Sequence, residues 1–183
     1  MTPDAWFLLG GVLLLLLTAW VAWTLSRLSR LEARVARAWT ALDTQLQRRA
    51  GLAEELARNH PAAVGQDRAA YLAAFAVDAR RPVDGDRELA ENALGRELRE
   101  LPADLRAVPA ALQADLEGTA VRVGLARRFY NDAVRDTRAL RRQRMPRLLR
   151  LHARRPLPRY FDIDDRLEQV AGAGRPGSWP AVR

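Results

Sequence analysis

The sequence predicts an all-α protein, in which an N-terminal transmembrane helix is followed by an elongated antiparallel helical bundle. Residues 5–25 carry no charge, and downstream apolar residues recur at alternating spacings of three and four. No stretch shows the two-residue alternation of a strand. We divide the 183 residues into a short N-terminal tail (1–4), a transmembrane helix (5–25), a bundle domain (26–165) and a flexible C-terminal tail (166–183).

The uncharged stretch from Ala5 to Leu25 has the length of a membrane span. At about 1.5 Å per residue it covers roughly 31 Å, the thickness of a bilayer's hydrocarbon core. Trp6 stands at one end, and Trp20 and Trp23 stand near the other, as interfacial aromatic residues do. A cleaved secretory signal fits poorly, because Asp4 and no arginine precede the span. We expect a single-pass anchor in the cell membrane.

The charges that flank the span predict its orientation. No basic residue precedes it, whereas Arg27, Arg30, Arg34 and Arg37 follow it. The positive-inside rule therefore places the N-terminus outside and the bundle domain in the cytoplasm.

The first helix after the span has one apolar face. Its members are Leu28, Leu31, Val35, Ala38, Leu42, Gln45, Arg49, Leu52 and Leu56, with Trp39 and Leu46 beside them. Because only Gly51 interrupts good helix formers here, we expect the span and this helix to be continuous over roughly 80 Å. His60-Pro61 should end the helix.

Three further helices follow along the chain. The second lies around residues 69–80, and a loop at 81–86 separates it from the third, at 87–101 with Leu94, Leu98 and Leu101 on one face. The longest helix ends before Met145-Pro146. Its face comprises Pro109, Leu112, Leu116, Thr119, Val123, Ala126, Tyr130, Ala133, Thr137 and Leu140. Pro156 and Pro158 then break the chain, and we expect Tyr160-Phe161 to dock back on the bundle.

Two sequence blocks resemble the LemA family of bacterial single-pass membrane proteins. The first contains Ala38-Trp39, Leu42-Asp43, Gln45-Leu46-Gln47-Arg48-Arg49 and Leu52. The second contains Leu116-Glu117-Gly118-Thr119, Arg122 and the run from Ala126 to Val134. A weaker resemblance to the family pattern is seen at Met145-Pro146 and at Tyr160-Phe161-Asp162. This chain departs from the pattern at Glu54-Glu55, Ala120 and Asp136-Thr137.

The resemblance implies a membrane-tethered helical bundle, with a coiled-coil-like arrangement of long helices. It implies a role in membrane organisation for some relatives and no catalytic residues to carry over.

The residues themselves offer little for catalysis. The chain has no cysteine and no lysine, and Ser26, Ser29 and Ser178 lie outside the folded part of the domain. His60 and His152 form no zinc-binding helix motif. Asp162, Asp164 and Asp165 suggest calcium, but an EF-hand loop needs glycine and glutamate where Leu167 and Ala173 stand. We predict no enzyme activity, no cofactor and no metal.

Arg48 and Arg49 form a candidate polar contact site. Arg49 falls on the apolar face of its helix, one turn after Gln45. One interpretation is that it binds a partner or an anionic ligand. The other is that it buries its stem and pairs with a carboxylate of a neighbouring helix, such as Glu97 or Glu100.

Basic charge is concentrated late in the chain. Residues 84–117 hold nine acids and four arginines, while residues 120–160 hold thirteen arginines and two aspartates. Complementarity between helices accounts for part of this pattern. Four arginines of the longest helix follow a 7-3-4 spacing that predicts a face able to contact anionic head groups: Arg128, Arg135, Arg138 and Arg142.

We therefore expect a membrane-anchored scaffold or interaction protein. Its expected partners are the membrane, anionic lipid head groups and other proteins, and homo-oligomerisation is left open. The net charge of +8 leaves one alternative, a membrane-tethered nucleic-acid-binding protein. Nucleic acid is the less favoured partner, because no aromatic residues interleave with the arginines to stack on bases.

Overall fold

The computed structural model describes residues 3–80, 87–102, 105, 107–142 and 156–164. The helices that it contains are α1 (Pro3–Asn59), α2 (Pro61–Val64), α3 (Gln66–Arg80), α4 (Arg87–Arg99) and α5 (Ala110–Arg142). No strand occurs among these described residues. The all-α prediction is therefore confirmed. Several features of the sequence analysis lie outside the described residues: the predicted loop at 81–86, the helix end at Met145-Pro146, the residues His152 and Ser178, and the tail at 166–183.

Helix α1 is continuous from the uncharged stretch into the apolar face that follows it, as the sequence predicts. It ends at Asn59, directly before His60-Pro61. Pro61 then occupies the first turn of the short helix α2, where a missing N–H costs nothing. Gly65 separates α2 from α3 with a φ of 91°, a backbone conformation that glycine adopts without strain.

The periodicity of the longest helix predicted its inward face. Thr119, Val123, Ala133 and Thr137 are fully buried on α5, and Tyr130 is buried as well. Thr137 satisfies its hydroxyl by donating to the carbonyl of Ala133 at 2.9 Å. Only the first predicted member of this face, Pro109, is exposed, because it precedes the helix.

The described residues form two compact units. The described residues of unit 1 fall within Met1–Thr40 and Phe129–Tyr160, and those of unit 2 fall within Ala41–Arg128 and Phe161–Arg183. The core of unit 2 is built from leucines of different helices, among them the fully buried Leu56, Leu72 and Leu94. The alanines among them allow the helix backbones to approach closely: Ala50, Ala53, Ala69, Ala76 and Ala79.

In unit 1 the inner faces of α1 and α5 pack against each other. The rings of Trp39 and Tyr130 lie 5.3 Å apart between their centroids, at an angle of 58°. Arg34 pairs with Asp136 across the same two helices at 2.8 Å. Leu28 and Leu140 are buried in this unit.

The N-terminal part of α1 is the one described helix that is long and apolar enough to cross a membrane. Its apolar side chains are exposed from Trp6 to Leu17. Nothing in the described protein covers them, in contrast to the leucines of a soluble core helix.

Candidate functional site

Arg49 belongs to a chain of alternating charges in unit 2 that is buried at Arg49 and Glu91 and reaches solvent at Asp43. Its guanidinium donates to the Glu91 carboxylate at 2.5 Å and to the Glu91 backbone carbonyl at 3.1 Å. The Arg49 side chain is 10% exposed, and that of Glu91 is not exposed at all. Arg87 lies 4.0 Å from the other oxygen of Glu91, and it also pairs with Asp43. The four residues therefore alternate in sign between α1 and α4.

This arrangement corrects the predicted partner of Arg49. The sequence suggested Glu97 or Glu100, whereas the partner is Glu91, earlier on the same helix. Glu100 instead lies 3.7 Å from Arg68. Of the two interpretations, this contact agrees with pairing to an acid of a neighbouring helix, although the acid lies at a different position along that helix.

Arg48 has a different environment from its neighbour. It pairs with Asp115 of α5 at 3.2 Å, and both side chains are about half exposed, 51% and 49%. Because consecutive residues point about 100° apart on a helix, Arg48 faces outward where Arg49 faces inward. The two arginines therefore form two separate ion pairs, and a polar contact site at Arg48 and Arg49 stays a prediction.

The four arginines of the predicted anionic contact face do not share one environment. In unit 1, Arg142 is exposed, and Arg135 is exposed beside Asp132, with which it pairs at 2.6 Å. Arg138 is partly buried: its Nε donates to the carbonyl of Pro158 at 2.9 Å, and its guanidinium lies 4.8 Å from the ring centre of Tyr160. In unit 2, Arg128 is exposed. Arg138 therefore uses part of its guanidinium within the protein, and the anionic contact face as a whole stays a prediction.

A groove in unit 1 was not predicted from the sequence. It has a volume of about 540 Å³ and lies between α1, α5 and the segment Pro156–Pro158. Its apolar surface comes from Val35, Ala36, Trp39, Tyr130 and Leu157. We call it the unit 1 groove.

The segment that closes the unit 1 groove is fixed by its carbonyl groups. Proline has no N–H to donate, so a Pro-Leu-Pro segment offers mainly acceptors. Arg141 donates to the carbonyl of Pro156 at 2.8 Å, and Arg138 to that of Pro158. The hydroxyl of Tyr130 donates to the carbonyl of Arg159 at 2.7 Å. The two prolines were the one sequence signal for this segment as a wall of the groove. Their carbonyls need hydrogen-bond donors from other parts of the protein, because the prolines themselves have no N–H.

The polar side chains of the groove are engaged within the protein. Arg141, with a side chain 4% exposed, pairs with Glu32 of α1 at 2.7 Å. Thr137 donates to its own helix. The groove therefore presents an apolar surface, and the charges of Arg141 and Glu32 at this surface compensate each other.

Of the two residues predicted to dock on the bundle, Phe161 is buried and Tyr160 is 44% exposed. In unit 2, Phe161 and Ile163 are buried, while Asp162 and Asp164 are exposed. Side chains of α4 bind the backbone of this extended segment: Glu88 accepts from the N–H of Asp162 at 2.8 Å, and Asn92 from that of Asp164 at 2.7 Å.

The two described aspartates of the calcium candidate are bound by arginines. Asp162 lies 3.7 Å from Arg127, and Asp164 lies 3.4 Å from Arg99. Asp165 lies outside the described residues. Among the residues that the structure describes, no group of three or more potential metal ligands comes together.

The chain was compared with protein-family models, with curated proteins and with solved structures, and none of them matches it.

Proposed function

We propose that this protein is a membrane-anchored helical-bundle scaffold of the LemA type, which presents surfaces to proteins and anionic lipid and has no catalytic activity of its own. The observation that carries the proposal is the composition of α1. Its first part exposes uncharged apolar side chains over the length of a bilayer, and its later part buries Leu42, Leu46 and Leu56 in a helical core. One helix thus combines an anchor with a packing face.

The two blocks that resemble the LemA family support the same proposal. The first block lies on α1 and buries Leu42, Leu46 and Leu52. The second lies on α5 and buries Thr119, Tyr130 and Val134. Several of the residues that carry the resemblance are therefore ones that pack the two longest helices.

The interaction role rests on exposed apolar side chains outside the span. Val121 and Leu125 lie one turn apart on α5 in unit 2, and they are 49% and 47% exposed. Leu89 on α4 and Tyr71 on α3 are more exposed still. Val121 and Leu125 are neighbours on the helix surface, and adjacent exposed apolar side chains are found at surfaces that contact other proteins.

The arginines give less support to nucleic-acid binding than their number suggests. Many of them pair with acids of the protein, including Arg34, Arg48, Arg49, Arg58, Arg68, Arg80, Arg87, Arg99, Arg127, Arg135 and Arg141. These contacts use charge that the alternative function would require for phosphates.

The anchor is tested by expressing the full chain with a C-terminal tag and washing membranes with alkaline carbonate. We expect the chain to remain in the membrane fraction and its intact mass to include residues 1–25. Release into the wash, or a mass that lacks these residues, would show a peripheral protein or a cleaved signal.

The interaction role is tested by placing a photo-crosslinking amino acid at Leu125 in the full chain. Illumination of native membranes should give a discrete protein adduct. Glu55, an exposed polar position on α1, serves as the control position. Equal labelling at both positions, or none at Leu125, would argue against a specific contact surface on this face of α5.

A further inference from the structure

We infer that the unit 1 groove binds an acyl chain of a membrane lipid. The inference rests on the proposed anchor and extends it, because it assigns a ligand to a site in the part of the protein that follows the span.

The surface chemistry of the groove favours hydrocarbon. Val35, Trp39 and Leu157 line it, and Leu157 remains 56% exposed although it is apolar. The volume of about 540 Å³ lies within the range of small-molecule sites, roughly 300–1,000 Å³. An acyl chain would cover the exposed part of Leu157 and remove apolar surface from water.

The polar groups of the groove disfavour a charged ligand inside it. Glu32 and Arg141 bind each other at 2.7 Å, and Arg141 also holds the carbonyl of Pro156. A carboxylate or phosphate within the groove would have to compete with Glu32 for Arg141 and would disturb the segment that forms the wall. The head group therefore remains outside, and the uncharged chain occupies the groove.

The walls of the groove are held in place before any ligand arrives. Three carbonyls of the segment from Pro156 to Arg159 accept hydrogen bonds from α5 at 2.7 to 2.9 Å. Such preorganisation lowers the ordering cost of binding.

The position of the groove on α1 identifies the lipid source. Glu32 follows Leu25, the last residue of the span, by seven residues, or about 10 Å of helix. Trp39 follows Leu25 by fourteen residues, or about 21 Å. The head-group region adds only about 5–8 Å beyond the hydrocarbon on each side, so the end of the groove at Glu32 lies just past it and the end at Trp39 lies roughly 13–16 Å past it. A lipid of the adjoining leaflet is therefore the nearest supply of acyl chains.

Quenching by brominated lipid tests the inference in the full chain. Trp6, Trp20, Trp23 and Trp179 are replaced by phenylalanine, so that Trp39 is the one remaining tryptophan. The protein is placed in bilayer nanodiscs of phosphatidylcholine whose acyl chains carry bromine at mid-chain. We expect a loss of Trp39 emission relative to the same nanodiscs without bromine, because a tail in the groove brings bromine into contact with the indole.

Two matched variants distinguish quenching by an acyl chain in the groove from quenching by a bilayer that merely lies near Trp39. Ala36→Phe places a ring in the groove and should restore Trp39 emission. Ala33→Phe adds the same ring at an exposed position of the same helix that does not line the groove, and it should leave the quenching intact. Quenching that persists in Ala36→Phe would overturn the inference, since the domain would then be lying against the bilayer.

A second single-tryptophan chain, with Trp23 retained, distinguishes the two proposals. Quenching at Trp23 without quenching at Trp39 would overturn the groove inference and leave the anchor intact. Absence of quenching at both would overturn the anchor, and with it the bilayer as the source of the ligand.

Discussion

At the scale of the residue, Arg48 and Arg49 show how burial changes the contribution of an ion pair to the free energy of unfolding. Both are arginines on α1, and both pair with an acid of another helix. The pair of Arg48 is half exposed to solvent, where charges are screened and the two side chains lose conformational freedom on pairing. The pair of Arg49 with Glu91 is removed from water, so each charge depends on the other.

We predict that Arg49→Met destabilises the full chain by about 3–5 kcal/mol, because it leaves the Glu91 carboxylate buried without its main counter-charge. Arg48→Met should cost no more than about 1 kcal/mol, since its pair is half exposed. Denaturant unfolding in detergent, followed by circular dichroism, gives both free energies. The double variant Arg49→Met with Glu91→Leu should recover most of the loss. A double variant as unstable as Arg49→Met alone would mean that the charge pair is not the cause.

At the scale of the helix, the periodicity of α5 separates its two sides. Val123 is fully buried, whereas Val121, two residues earlier, is 49% exposed. The same side-chain type thus occupies both environments on one helix. A carboxylate introduced at each position measures the difference directly.

We predict that Val123→Asp lowers the free energy of unfolding by about 3 kcal/mol or more, because it buries a charge without a partner. Val121→Asp should change it by no more than about 0.5 kcal/mol, as exposed substitutions generally do. Thermal unfolding of the two variants in the same detergent provides the measurement. Equal stability of the two variants would show that this face of α5 is not packed.

The sequence was sufficient to predict the buried face of α5 but not that of α3, and the reason is physical. Large residues mark the inward face of α5, whereas α3 carries alanine on every side. Its buried residues are Ala69, Leu72, Ala76 and Ala79, while the large Tyr71 is 61% exposed. An alanine-rich helix has no strong preference for the side that it buries, so its neighbours decide.

The candidate sites depend on contacts that local periodicity does not encode. Glu88, Glu91, Glu97 and Glu100 are all acids on or next to α4, and their spacing alone does not say which one lies opposite Arg49. Arg138 falls on the predicted basic face of α5, but its Nε donates a hydrogen bond to the carbonyl of Pro158, twenty residues later. Replacing all four arginines of that face would therefore disturb the wall of the unit 1 groove as well as the surface charge.

At the scale of the whole molecule, the proposed orientation in the membrane depends on a small number of charges. Arg27, Arg30, Arg34 and Arg37 lie within about 15–20 residues of the end of the span, the distance over which basic residues influence topology. Arg34 also pairs with Asp136, so its replacement would change packing as well as charge. A clean topology test therefore uses the other three.

We predict that a reporter fused after Arg183 behaves as cytoplasmic, with low alkaline phosphatase activity and high fluorescence of a fused green fluorescent protein. Replacing Arg27, Arg30 and Arg37 by glutamine should shift part of the population to the opposite orientation, because the remaining arginine leaves a weaker bias across the span. Replacing Arg128, Arg135 and Arg142 by glutamine removes the same charge more than 100 residues after Leu25, beyond the reach of the rule, and should leave the orientation unchanged. High phosphatase activity in the unmodified chain would overturn the proposed orientation. Equal effects of the two triple substitutions would show that total charge, and not its position beside the span, controls the topology.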